Sequence, residues 1–306
     1  MSSTRSLFRA ILVCLLVPIV GFASVRGWGQ DSSSKPCTPT VVGTLETFEL
    51  TSMIFENKRT VRVWLPPGYG EAANRERKYP VLYMFDGQNL FDACLAFDHV
   101  HEWQVDETVT RLVGEGKIEP LMVVGIDNGG EKRAYEYLPW ADRIQHPEMP
   151  PPAGTRLPEF LIQDVMPAVE AKYRVAKGRE STGIGGSSYG GIAALYVGVT
   201  APVVFGKVLA ESPILHVGNL EMVRYTSPQP VGPLKVFFGY GGKESKTPGV
   251  DEAVVKMIHV VEGNLKNAAV WPSEVKVVYD PEAMHNEAAW AKRLPEALEF
   301  LFPAPK

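Results

Sequence analysis

A three-layer α/β fold, a mostly parallel central sheet flanked by helices, is predicted by two features of the sequence. Short apolar runs rich in β-branched and aromatic residues recur along the chain, and the stretches between them place apolar residues at helical spacing. The runs Thr60–Leu65 (TVRVWL), Val81–Phe85 (VLYMF) and Leu121–Ile126 (LMVVGI) are near-continuously apolar, as strands covered on both faces are. Val204–Ala210 (VFGKVLA), Leu234–Gly239 (LKVFFG) and Glu274–Tyr279 (EVKVVY) extend the series. Helices are expected over Trp103–Gly114, Pro158–Tyr173, Ile192–Val199, Val250–Leu265 and Glu287–Leu301. The Pro-rich stretch at 143–158 (RIQHPEMPPPAGTRLP) reads either as a loop or lid above the carboxyl edge of the sheet or as a solvated connector.

The chain has 306 residues, 45% of them hydrophobic, and a net charge of -4, enough core-forming material for one catalytic domain of the α/β type. Its charges are mixed, without a basic run interleaved with aromatics, which speaks against DNA or RNA as partners. Residues 1–24 combine Arg5 and Arg9 with an apolar run from Ala10 to Ala23, the layout of a secretory leader. Pro18 interrupts that run, which is shorter than the ~20 residues of a spanning helix. The expectation is a secreted or periplasmic protein without stable membrane insertion once the leader is removed. Residues 25–40 read as a flexible tether, and residues 41–306 as the catalytic domain. Cys37 and Cys94 are too far apart for a CxxC site; they pair in an exported compartment or stay as two small apolar residues.

The chemistry is carried by Ser181–Tyr196 (STGIGGSSYGGIAALY), where Gly186-Ser187-Ser188-Tyr189-Gly190 forms G-x-S-x-G between a strand-like start and a helix-like continuation. The glycines allow a sharp strand-to-helix turn that exposes the hydroxyl of Ser188, not that of Ser187. The main-chain N–H of Tyr189 then points at a developing oxyanion. A serine hydroxyl near neutral pH needs a base, and the base needs an acid to orient it, in the chain order Ser, acid, His. Of the histidines after Ser188, His216 closely follows Ser212-Pro213 and His259 lies inside an expected helix, whereas His285 falls between a strand and a helix. His285 is therefore the expected base. Glu244, directly after the strand-like VFFGYGG, is the expected acid, and Asp251, placed to cap the next helix, is the reserve.

The second oxyanion donor is expected from the loop after Val81–Phe85, at the N–H of Gln88 or its neighbour. Asp86 and Asp92 in that loop are too sparse for calcium, and His99 and His101 lack a third ligand, so neither a metal nor a cofactor is expected.

Seven ordered blocks carry a resemblance. They are RTVRVWLPPGY at Arg59–Tyr69, YPVLYMFDGQNLF at Tyr79–Phe91, EWQVDET at Glu102–Thr108, VVGIDNGGEKRAYEYLPW at Val123–Trp140, GGSSYGG at Gly185–Gly191, FGKVLAESP at Phe205–Pro213, and HNEAAWAKRLPEALEFLF at His285–Phe302. Across nearly the whole chain after the leader, the sequence resembles the esterase family of α/β-hydrolases. That family includes esterase D, enterochelin, feruloyl and acetyl xylan esterases, and the mycolyltransferases. The resemblance implies Ser188, Glu244 and His285 as a triad and cleavage of a small or carbohydrate-linked ester through an acyl-enzyme. The alternatives are acyl transfer to an alcohol or sugar, as in the mycolyltransferases, and a non-catalytic binding protein on the same scaffold. Tyr189 stands where the family often has methionine, and Glu211 where it often has an apolar or aromatic residue. Arg133, Glu136 and Tyr137 match the family's R-x-x-E-Y block, for which the resemblance leaves a fold-stabilising role and a substrate contact open. The ester itself and the oligomeric state are not legible.

Overall fold

In a computed structural model, residues 37–227, 232, 234–268 and 272–305 are described. The expected leader, and the tether as far as residue 36, lie outside them. Apolar strands alternate with helices in the order β1 (Thr44–Ser52), β2 (Asn57–Leu65), β3 (Val81–Phe85), α1 (Val105–Gly114), β4 (Met122–Ile126) and α2 (Arg133–Tyr137). There follow α3 (Leu157–Glu159), a π-helical segment (Phe160–Val165) and α4 (Met166–Glu170), then β5 (Thr182–Ser187), α5 (Tyr189–Thr200), β6 (Lys207–Glu211) and α6 (Val217–Tyr225). The chain continues through β7 (Lys235–Gly241), α7 (Val250–Lys266), β8 (Glu274–Asp280) and α8 (Glu287–Leu301).

The eight strands form one sheet in the order β1-β2-β4-β3-β5-β6-β7-β8. The pairings β1·β2 and β2·β4 are antiparallel, and every pairing from β4·β3 to β7·β8 is parallel. Side-chain alternation buries both faces. Val81, Tyr83 and Phe85 of β3 join a core with residues of α5 and α7, while Leu82 and Met84 join a second core with residues of α1 and α8. This is the expected three-layer α/β-hydrolase arrangement, and it explains why interior strands such as β3 and β4 are apolar throughout rather than alternating. Residues 38–306 form one compact unit. Among the described residues no helix is long and apolar enough to cross a membrane.

Among the element boundaries that depart from the sequence reading, three have a local cause. The strand expected from Val204 begins at Lys207, because the N–H groups of Val204 and Phe205 both bond to Ala201 O in the turn that ends α5. The helix expected from Trp103 begins at Val105, since Gln104 lies at φ 51°. The single helix expected over Pro158–Tyr173 is three segments, ending at Glu170. Pro167 has no N–H for the helical ladder, and the wider π turn beside it takes up the interruption. The edge strand β1 had no counterpart in the reading of the sequence.

Candidate active site

The strand-turn-helix carrying Ser188 is built as the sequence predicts. Ser188 lies between β5 and α5 at φ 58°, ψ -122°, a conformation that a non-glycine residue holds only when its surroundings enforce it. Its N–H bonds to Glu211 O at the end of β6 (3.0 Å), and its carbonyl accepts from Gly191 and Ile192 (3.1 and 3.2 Å). The turn is so tight that a Cβ on Gly186 would lie 2.7 Å from Gly190 O, and one on Gly191 2.6 Å from Glu211 O.

The structure brings Glu244 and His285 together from positions 41 residues apart: His285 Nδ1 and Glu244 Oε2 are 2.8 Å apart. The Glu244 side chain is buried and that of His285 partly exposed. His285 and Ser188 line the same two cavities, of about 550 and 430 Å³, which Arg133 also borders. Asp251, the reserve, and Asp280, which also lies between Ser188 and His285, are engaged elsewhere. Asp251 accepts from Tyr240 Oη (3.2 Å) and Ser245 N (2.9 Å), bracing the loop ahead of α7, and Asp280 pairs with Lys292. His259 pairs with Glu262 on the outside of α7. His216 lines the smaller cavity.

The two residues expected to supply oxyanion donors line different cavities beside Ser188, Gln88 the larger and Tyr189 the smaller. Tyr189 is the first residue of α5, where a helix has no internal acceptor for its N–H. Gln88 lies in the turn after β3, whose first internal bond runs from Asn89 N to Asp86 O, so the N–H of Gln88 precedes it. The side-chain oxygen of Gln88 accepts from Asn128 N (3.3 Å) and fixes the loop. That loop depends on Asp86, itself at φ 58°, which accepts from Arg133 Nε and Nη2 (2.7 Å each) and from Asn128 Nδ2 (2.7 Å). Arg133 Cζ lies 5.3 and 5.5 Å from the ring centroids of Tyr137 and Tyr189. Burial lowers the guanidinium pKa while the Asp86 charge raises it, and the net shift is upward, toward a permanent cation. Arg133 thus both holds the loop that carries Gln88 and faces the cavities. Glu136 points away and pairs with buried Arg59.

The start of the Pro-rich stretch borders the site as a loop, with Gln145 lining the smaller cavity. Tyr189 Oη donates to Asp142 Oδ2 (2.7 Å), which gives the tyrosine in the G-x-S-x-G motif a partner beside the cavity. Burial and then Asp142 push the Tyr189 pKa up, keeping its hydroxyl protonated. Glu211 is fully buried and paired with Arg293 Nη2 at 2.7 Å, so a charged residue stands where the family often has an apolar one. His99 and His101 are exposed, His101 against Asp98 and His99 Nδ1 against Cys94 O. Cys37 and Cys94 are both disulfide-bonded.

Two participants escaped the sequence reading. Ser212 Oγ donates to Glu244 Oε1 (2.6 Å), and Trp290 Nε1 donates to Ser212 Oγ (2.9 Å). Both lie within family-like blocks, but nothing in their spacing from Glu244 marks the contact.

Residues 52–301 match the family described as "Putative esterase". The chain is 22% identical over 250 residues to the uncharacterized protein YbbA of Bacillus subtilis (strain 168), covering 80% of this chain and 92% of that one. Among solved structures, a ferulic acid esterase superposes with a TM-score of 0.60 at 23% identity, over 85% of this chain and 98% of its own. An IroE-like serine hydrolase from Shewanella oneidensis superposes with a TM-score of 0.65 at 20% identity, over 85% and 80%.

Proposed function

The chain belongs to the esterase family and is a carboxylic-ester hydrolase of the serine type, and on that premise we propose that it acts through Ser188, His285 and Glu244 by way of an acyl-enzyme. The observation that carries this reading is the 2.8 Å contact from Glu244 to His285 Nδ1, made beside a cavity that His285 shares with the strained Ser188. That contact places the proton of the neutral imidazole on Nδ1 and leaves Nε2 as the base. Nε2 takes the Ser188 proton while Oγ bonds to the ester carbonyl carbon, and the carbonyl oxygen becomes an oxyanion that accepts from the N–H groups of Tyr189 and Gln88. Collapse breaks the bond to the alkoxy oxygen, which leaves with the proton from Nε2. Water, deprotonated by the same nitrogen, then bonds to the acyl carbon, and collapse breaks the bond to Ser188 Oγ, which recovers its proton from Nε2 as the acid leaves.

The ester is small or carbohydrate-linked, and the fold likeness to a ferulic acid esterase supports beginning with aryl-acyl esters. Transfer to an alcohol is the second reading. In its favour, two cavities meet at Ser188, room for both an acyl group and an acceptor. Export is supported by the leader-like residues 1–24 and by two disulfide-bonded cysteines, which persist in oxidising compartments. The test is hydrolysis of p-nitrophenyl esters, methyl ferulate and acetylated xylan, with Ser188→Ala alongside and an added alcohol to reveal transfer. Activity is expected in the parent and not in Ser188→Ala; equal activity in both overturns the reading.

A further inference from the structure

We propose that Ser212 and Trp290 are positioning residues that lock the carboxylate of Glu244 in the orientation His285 requires, an inference that rests on the triad reading above. An indole N–H can only donate, so the 2.9 Å contact from Trp290 Nε1 makes Ser212 Oγ an acceptor. The single hydroxyl proton is thereby directed along the other contact, to Glu244 Oε1 at 2.6 Å. Gly241 N donates to the same oxygen at 2.6 Å. Oε1 is thus held by two donors, and Oε2 is turned toward His285.

A glutamate in this role needs such a clamp. It has one more rotatable bond than an aspartate, and its carboxylate wanders unless both oxygens are held. The clamp is rigid at its base: Ser212 is fully buried, its N–H is bonded to Gly239 O (2.8 Å), and it is held at φ 45°, a backbone state that an ordinary turn residue avoids. The Trp290 ring also packs edge-on against the His285 ring, with centroids 5.2 Å apart at 84°. One side chain therefore orients the acid through Ser212 and the base through packing.

The test compares Ser212→Ala, Ser212→Gly, Trp290→Phe and Glu244→Gln, with folding checked by circular dichroism. Ser212→Gly accepts the positive φ, so a folded variant without the hydroxyl is available even where alanine misfolds. The expected result is a loss in kcat of roughly 10- to 100-fold with KM within about twofold, as for groups that orient a reacting partner. Combining Ser212→Ala with Trp290→Phe is expected to add little to the larger single effect, because the two act in series. The downfield proton resonance of His285 Nδ1–H is expected to move in the Ser212 variants, which a purely structural role leaves in place. Folded Ser212 variants with parental kcat and an unmoved resonance overturn the proposal. If Glu244→Gln also retains parental kcat, the triad reading falls with it; if Glu244→Gln is inactive, only the clamp falls.

Discussion

At the carboxyl ends of β3, β5 and β6 the chain turns through Asp86, Ser188 and Ser212, all non-glycine residues at positive φ, whereas the amino ends of β5 and β6 are approached through Gly178, at φ 100°, and Gly206. The larger cavity at the carboxyl end is about 550 Å³ and the cavity at the amino end about 490 Å³, so size does not separate them. Their chemistry does. The amino-end cavity mixes acidic and basic side chains such as Glu119, Arg179, Lys207 and Glu274, with the Lys207 ammonium 4.3 Å from the centroid of the Phe302 ring. The carboxyl-end cavity brings the Ser188 hydroxyl and the His285 imidazole together beside the strained turns at Asp86 and Ser188. Strain on non-glycine residues persists only where neighbouring strands hold both sides of the turn, as Glu211 O holds Ser188 and Gly239 O holds Ser212. On the proposed mechanism the assignment is of chemistry to the carboxyl edge of the sheet and of stability to the amino edge.

The sharpest way to break that assignment is at the triad. Glu244→Gln is expected to lower kcat by roughly 10³- to 10⁴-fold, because an amide stabilises the wrong imidazole tautomer, with Tm nearly unchanged. Steady-state kinetics beside a thermal melt decide it. The converse change is Gly206→Ala at the amino edge. Its Cβ would lie 2.3 Å from the Arg179 carbonyl oxygen, so backbone must shift. A loss of roughly 2–3 kcal/mol in denaturant-unfolding stability is expected, as for overpacked core positions, with kcat/KM per folded molecule at the parental value.

Strain itself is read by pairing two inactive variants. Ser188→Gly is expected to be more stable than Ser188→Ala by about 1 kcal/mol, because glycine relieves the positive φ and alanine keeps it. Equal stabilities would show that the turn is not strained.

The smallest effect concerns Glu102, buried just ahead of α1, whose carboxyl is pushed up to about 7, first by burial and then by Glu107 and Asp92. The folded state thus keeps a proton that the unfolded chain, with an ordinary carboxylate near ~4.3, has already released. More protons bound in the folded state means that stability falls as pH rises from about 4.3 to 7, and is level above. Glu102→Gln is expected to melt above the parent at pH 8 and to lose this part of the slope between pH 5 and 7.

Much of the fold was legible because burial on two faces leaves a simple trace. Val81–Phe85 reads as a buried strand from its apolar run alone, and β1, an edge strand with alternating exposure, left no such run. The turn at Ser188 was legible because tight backbone approach demands glycine at Gly186 and at Gly191, and glycines are visible in a sequence. The clamp around Glu244 was not. Ser212, Gly241 and Trp290 reach it from β6, β7 and α8, and no local pattern records which side chains meet across three elements.

By itself, the sequence determined the alternation of strands and helices, the position of Ser188 on a sharp turn, and the order in which an acid and His285 follow it. These rest on local rules: periodicity, glycine's freedom and chain order. Placement after the strand-like VFFGYGG already favoured Glu244 over Asp251, and the structure sets Glu244 against His285. Only the tertiary structure showed that Asp86 is tied to Arg133 beside the Gln88 loop, and that Trp290 and Ser212 hydrogen-bond in series to Glu244. Those choices depend on the register and twist that bring the ends of separate strands to one edge, where a separation of a few ångströms settles which donor meets which acceptor.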